Sequence, residues 1–251
     1  MRSTERRTAL WRLFCGAVLG LYLSAPVYAF TPSDSPLLSA AAVAPNVMLL
    51  IDDSGSMNNI IWAPGFDPTV NRAQIAICSS NTSCSSGQNL DMSNTNILLS
   101  SLNRGGCSSS GNWYGFYRGF LGLSSICLKL PDPVGNENTR YTADYLSYLV
   151  GLANGSNRDF TTGTGAIPND YRISVAQDVS TNLVSSNRAL RIGLATFNPP
   201  TSSNSGPGGF IARQVSDLSP VSGSVTQTQA NTNYSALIAS INGLSAIANT
   251  P

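Results

Sequence analysis

The apolar run Val47-Met48-Leu49-Leu50-Ile51 stops abruptly at Asp52-Asp53-Ser54-Gly55-Ser56-Met57. This junction constrains the fold more than any other stretch of the chain. The apolar part reads as a fully buried strand, and the polar part as the turn at its carboxyl end. In an open α/β sheet, ligands sit in the crevice just beyond such strand ends. Asp52, Ser54 and Ser56 alternate as D-x-S-x-S, so one tight turn can aim three oxygen-bearing side chains at a single point. Hard divalent cations such as Mg²⁺ and Ca²⁺ take oxygen ligands of this kind. The junction therefore reads as part of a metal site.

A chain of 251 residues accommodates one large domain or two small ones with a real core. Its first 29 residues fit a secretory signal instead. Arg2, Arg6, Arg7 and Arg12 precede an apolar run at 13–27, and Val27 and Ala29 fit the small-residue pattern of a cleavage site after Ala29. The rival reading, a membrane anchor, needs a span of about 20 apolar residues, longer than this run. Without those 29 residues, and thus without four of the 14 basic and one of the 13 acidic residues, the net charge is −2. Lys129 is the only lysine, so a nucleic-acid partner has no electrostatic support. Cys15 leaves with the signal, and Cys78, Cys84, Cys107 and Cys127 remain. An even count in an exported chain favours two disulfides. Three pairings are possible, and proximity puts Cys78–Cys84 with Cys107–Cys127 first. A Cys₄ zinc site is the competing reading, and the absence of any C-x₂-C pair argues against it.

Downstream of the signal, residues 30–45 form an irregular leader, and the strand is expected at about 46–52. A stretch at about 57–169, rich in Ser, Asn, Gly and Thr, holds all four remaining cysteines. Its Trp62, Phe66, Trp113, Tyr114, Phe116, Tyr117 and Phe120 are too many aromatics for simple disorder. It reads as an insertion pinned by disulfides, whose aromatics form its own core rather than a binding patch. Tyr141, Tyr145, Tyr148, Leu149 and Leu152 predict a helix at about 139–153. Asn169 or Asp170 can cap a helix with Ile173, Ala176, Val179 and Leu183 on its inner face. A second strand follows at 191–197, a third, edge strand at about 210–215, and a helix at about 233–247. Strand, helix, strand, short strand, helix is the opening half of a doubly wound α/β sheet.

Val43-Ala44-Pro45-Asn46-Val47-Met48-Leu49-Leu50-Ile51-Asp52-Asp53-Ser54-Gly55-Ser56-Met57 resembles the start of a von Willebrand factor type A domain with its metal-ion-dependent adhesion site. The resemblance narrows to the PilY family of type IV pilus-tip adhesins and assembly factors. Its further support is the cysteine-containing insertion, Ile167-Pro168-Asn169-Asp170-Tyr171-Arg172-Ile173, and Arg191-Ile192-Gly193-Leu194-Ala195-Thr196-Phe197. The fold it implies is a partial von Willebrand A domain at 46–251, a Rossmann-like sheet with the long insertion. The implied function is non-enzymatic: pilus assembly and attachment at the periplasm, outer surface or pilus tip. Implied partners are minor pilins or other pilus components and a host or abiotic surface ligand, with no membrane span after signal cleavage. Asp52, Ser54 and Ser56 match the first loop of the family's site, and Thr250 is the candidate from its second loop. The implied ion is Mg²⁺, Ca²⁺ or Mn²⁺. An aspartate from a third loop, further strands and a carboxyl-terminal propeller have no counterpart, so the resemblance implies a truncated or split gene product. On the family's strand order, one edge of the first strand would then lie bare.

Asp53-Ser54-Gly55-Ser56 also matches the D-[ST]-G-[ST] signature of aspartic proteases. Such enzymes need two carboxylates sharing a proton, and no second D-[ST]-G occurs here. With no histidine in the chain, serine and cysteine triads are set aside. Two blander readings also compete: a solvated turn in which Ser54 and Ser56 bond only backbone groups, and a structural domain that binds no ligand. Asp53 is expected to face solvent or to orient the turn, and is not taken as a ligand.

Overall fold

The computed structural model describes residues 44–84, 87–118, 125–197, 209–220 and 224–246; the signal and most of the leader lie outside them. The strands in chain order are β1 (Asn46–Ile51), β2 (Ile75–Cys78), β3 (Gly87–Asn89), β4 (Ile97–Leu98) and β5 (Trp113–Arg118), then β6 (Ser125–Lys129), β7 (Arg140–Tyr141), β8 (Arg158–Asp159), β9 (Arg191–Thr196) and β10 (Phe210–Asp217). The helices are α1 (Ala143–Ala153), α2 (Arg172–Ser186) and α3 (Gln227–Asn242). The class is mixed α/β. The elements divide between two hydrophobic cores.

One core belongs to a three-stranded sheet ordered β1-β9-β10. β1 runs parallel to β9, in register from Asn46 opposite Arg191 to Ile51 opposite Thr196, and β10 runs antiparallel to β9. Val47, Leu49 and Ile51 face α2 and α3, where they meet Val184, Leu237 and Ile241. The alternate residues face away: Met48 is 41% exposed and Leu50 62%. The expectation of a fully buried strand is therefore corrected. Among the described residues β1 pairs on one side only, and no helix covers its outer face. That is the alternating pattern of a half-buried strand.

The helices also differ from expectation in detail. α2 starts after Tyr171, whose side chain makes no capping bond, and the Asp170 carboxylate instead accepts from the Tyr171 amide at 2.7 Å. Ile173 and Val184 are buried, but Val179 and Leu183 are exposed, contrary to the predicted inner face. The inward positions hold Gln177 and Thr181. Gln177 donates to the carbonyls of Ile241, Asn242 and Leu244, and so satisfies the open end of α3. α3 begins six residues before its expected start, because Thr226 caps it by accepting from the Gln229 amide.

Residues 57–169 carry the other core. A five-stranded sheet ordered β3-β2-β5-β6-β8 packs with α1 around Phe116, Leu128, Tyr141, Tyr145 and Leu149. Fully burying one such side chain contributes roughly 1.5–3 kcal/mol. Four of the insertion's predicted aromatics, Phe66, Tyr114, Phe116 and Tyr117, are buried in this segment, while Phe120 lies outside the described residues. Phe66 meets the rings of Trp62 at 5.0 Å and Tyr145 at 4.9 Å, edge to face. Burial pushes the Tyr145 phenol up to about 12, against the Ala63 amide that donates to it, so it stays neutral in this core. α1 is shorter than expected: Arg140 and Tyr141 form β7, and Thr142 caps the helix by accepting from the Tyr145 amide.

The four cysteines pair by neighbourhood, Cys78 with Cys84 and Cys107 with Cys127, at Cα separations of 4.7 and 5.7 Å. The zinc reading of these cysteines thus falls away. Gly105 and Gly115 make room for the first bridge: a Cβ on either would land on the Cys78 and Cys84 sulfurs. Gly105 also sits at a φ of +59°, which glycine adopts without strain. The segment leaves and rejoins the three-stranded unit at one narrow neck. Ile60 bridges Tyr171 antiparallel, Ile61 N–H donates to the Asp170 carbonyl, and Arg172 N–H donates to the Asn59 carbonyl.

Candidate metal-binding turn

The turn begins where β1 ends, because Asp52 folds back on its own backbone. Its carboxylate accepts from the Ser54 amide at 2.8 Å, a local Asx-type bond that ends the strand. Gly55–Asn58 then form one turn of 3₁₀ helix, with the Met57 amide on the Ser54 carbonyl. This winding brings the Ser54 and Ser56 hydroxyl oxygens to 2.9 Å from each other. Asn59 clamps the turn from below: its side-chain amide donates to the Ser56 carbonyl at 2.8 Å and to Asn96 at 3.1 Å. Asn59 is buried, and its anchoring role was not visible in the D-x-S-x-S spacing.

Two further groups surround the turn. Asp53 is only 3% exposed, which removes the solvent-facing one of its two expected places and leaves the other, orienting the turn. It lines a cavity of about 280 Å³ with Thr196, Phe210, Ala212, Ser240 and Leu244. Thr196, also buried, stands opposite Ile51 in the parallel ladder, and so at the end of the neighbouring strand. The sequence signal for Thr196 was its position at the end of the second strand, which becomes meaningful only once the register is known. On the other side, Asn58 donates to the Ala246 carbonyl at 3.0 Å, so the chain leaving α3 runs beside the turn. Thr250 itself lies outside the described residues.

The structure thus brings Asp52, Ser54 and Ser56 into one turn. Two adjacent ligands of an octahedral Mg²⁺ at 2.0–2.1 Å stand about 2.9 Å apart. The two hydroxyls stand at that separation, which is also the length of the hydrogen bond they make with each other, a bond that gives way when both oxygens turn to a cation. The donor set is all oxygen, as a hard cation requires. Among the described residues, no three carboxylate, thiolate or imidazole groups converge on one point, and Asp52 is the only carboxylate among the three expected ligands of the turn. The protease reading needs a second carboxylate facing Asp53, and among the described residues the cavity beside Asp53 presents none. Among the described residues, no helix is long and apolar enough to cross a membrane. The chain matches no protein-family model, no curated protein and no solved structure.

Proposed function

We propose that this chain is an exported, non-enzymatic adhesion and assembly module that recognises acidic partners through a divalent cation at the Asp52–Ser56 turn. The observation that carries this reading is the 2.9 Å pairing of the Ser54 and Ser56 hydroxyls at the carboxyl end of a parallel strand. Ser54 and Ser56 would hold Mg²⁺, Ca²⁺ or Mn²⁺ directly, Asp52 would act through water, and Thr250 would join from the second loop. When bound, the cation offers an open coordination position to a carboxylate of the partner. Asp53 and Asn59, both buried, support the turn from within. Two disulfides suit an oxidising, extracytoplasmic location. From the resemblance to pilus-tip adhesins, the partners are minor pilins or other pilus components and a host or abiotic surface, and the setting is a type IV pilus.

Isothermal titration with Mg²⁺, Ca²⁺ and Mn²⁺ tests the metal. The protein is expected to bind one cation saturably, and Asp52→Ala to weaken binding by about tenfold or more, which is about 1.4 kcal/mol. A Ser54→Ala/Ser56→Ala pair should abolish it. Binding that ignores all three substitutions in folded protein would refute the assignment.

A further inference from the structure

We propose a second ligand site, an anion pocket built around Arg140 that takes a carboxylate and does not depend on the cation at the Asp52–Ser56 turn. Every other arginine whose side chain is described has a partner. Arg72, Arg104 and Arg191 form ion pairs, Arg158, Arg188 and Arg213 donate hydrogen bonds, and Arg172 lies over the Trp62 ring. Arg140 has no ion pair, no side-chain hydrogen bond and no aromatic face among the described residues, and its Nε is sealed from solvent without an acceptor. The residue as a whole is half-buried, so its guanidinium is partly withdrawn from water without a counter-charge, which is costly. A fold tolerates this where a ligand supplies the missing charge.

The surroundings fit such a ligand. Arg140 lines a cavity of about 380 Å³, together with Asn58, Asn138, Tyr171 and Ser245, which add neutral hydrogen-bonding groups, and Ile173. Among the described residues, no acidic side chain lines it. The nearby Asp132 is already committed: its carboxylate accepts from the Glu137 and Thr139 amides and the Thr139 hydroxyl, fixing the loop that leads to Asn138. The amino end of α2 adds its own field. Tyr171 provides no side-chain cap, and the Ile173 and Ser174 amides take no protein acceptor among the described residues. A guanidinium presents a planar fork that matches a carboxylate. The pocket joins the insertion, through Leu98, Val134 and Arg140, to the three-stranded unit, through Tyr171 and Ile173. A bound carboxylate therefore bridges both.

The test follows the Arg140 Nε–H signal by nuclear magnetic resonance in ¹⁵N-labelled protein with EDTA present. The two probes are succinate and an acetyl-Gly-Glu-Gly-amide peptide. Each arm reports one source of carboxylate, a free organic acid or an acidic protein side chain, and the tighter one names the natural class. A saturating shift at Arg140 Nε–H, accompanied by the Ile173 and Ser174 amides, is expected with at least one probe. Arg140→Met should weaken it by about tenfold or more, while Asp52→Ala leaves it unchanged. Should Arg140→Met fail to fold, Arg140→Lys keeps the charge but loses the fork, and it should weaken binding with the near-ultraviolet circular dichroism intact. A shift that rises linearly without saturating, or that survives in a folded Arg140 variant, overturns the proposal. Binding that disappears with Asp52→Ala also overturns it, without touching the metal assignment.

Discussion

Asp159 shows how a single side chain writes pH dependence into this fold. Burial pulls its carboxyl upward, but the Thr161 hydroxyl and amide at 2.6 and 2.7 Å and the Lys129 ammonium at 2.9 Å outweigh that, bringing it down to about 2. The folded value lies below the unfolded one of about 3.9, so the stabilisation is fully present above about pH 4 and is lost as pH falls through 2. The Asp159 side chain is 30% exposed, so solvent screening limits the effect to about 1 kcal/mol or less. Urea unfolding at pH 7 and pH 1.5 should show Asp159→Asn less stable than the native chain at the higher pH and level with it at the lower. Parallel curves would show that the pairing contributes nothing. The Lys129 contact could not be read from the sequence, because Lys129 and Asp159 become neighbours only through the pairing of β6 with β8. Gly105 and Gly115 were equally silent, since their requirement arises from the sulfurs beside them. The oxygen pattern of Asp52, Ser54 and Ser56 was legible because a turn that short leaves its side chains few directions to point.

Among the elements, β1 is where sequence and structure diverge most. Its apolar run marked a strand correctly, but how much of it is buried depends on neighbours that the run itself does not encode. Leu50 and Met48 on its outer face lie next to an edge unpaired among the described residues, with the exposed Ile211 in line two strands away on β10, across Ala195 of β9. Such edges promote self-association. Leu50→Lys is expected to reduce association in sedimentation velocity and to change stability by no more than about 0.5 kcal/mol. Unaltered association would clear this surface of the role. α2 and α3 teach a related lesson. Apolar periodicity located both helices, yet it chose the wrong stripe on α2, because Gln177 turns inward to serve backbone carbonyls. It also missed the first turns of α3, where Gln227 to Asn233 carry no apolar rhythm and the Thr226 cap decides the start.

At the scale of the whole molecule, the two cores share no buried residue. The aromatic and cysteine content of 57–169 announced local structure there, but not its five-stranded sheet, whose short strands are specified by pairing rather than by alternation. The neck at Ile60 and Tyr171 has a consequence for the chain's modularity. A long excursion whose two ends are hydrogen-bonded to each other has its loop closure fixed at the base, and lengthening such a loop costs little. The segment is then a cassette: it can be lifted out with its ends already side by side. Residues 58–172, produced alone under oxidising conditions, should form both disulfides and unfold cooperatively with an aromatic near-ultraviolet signal. A featureless spectrum would show that the cassette borrows its order from the strand it interrupts.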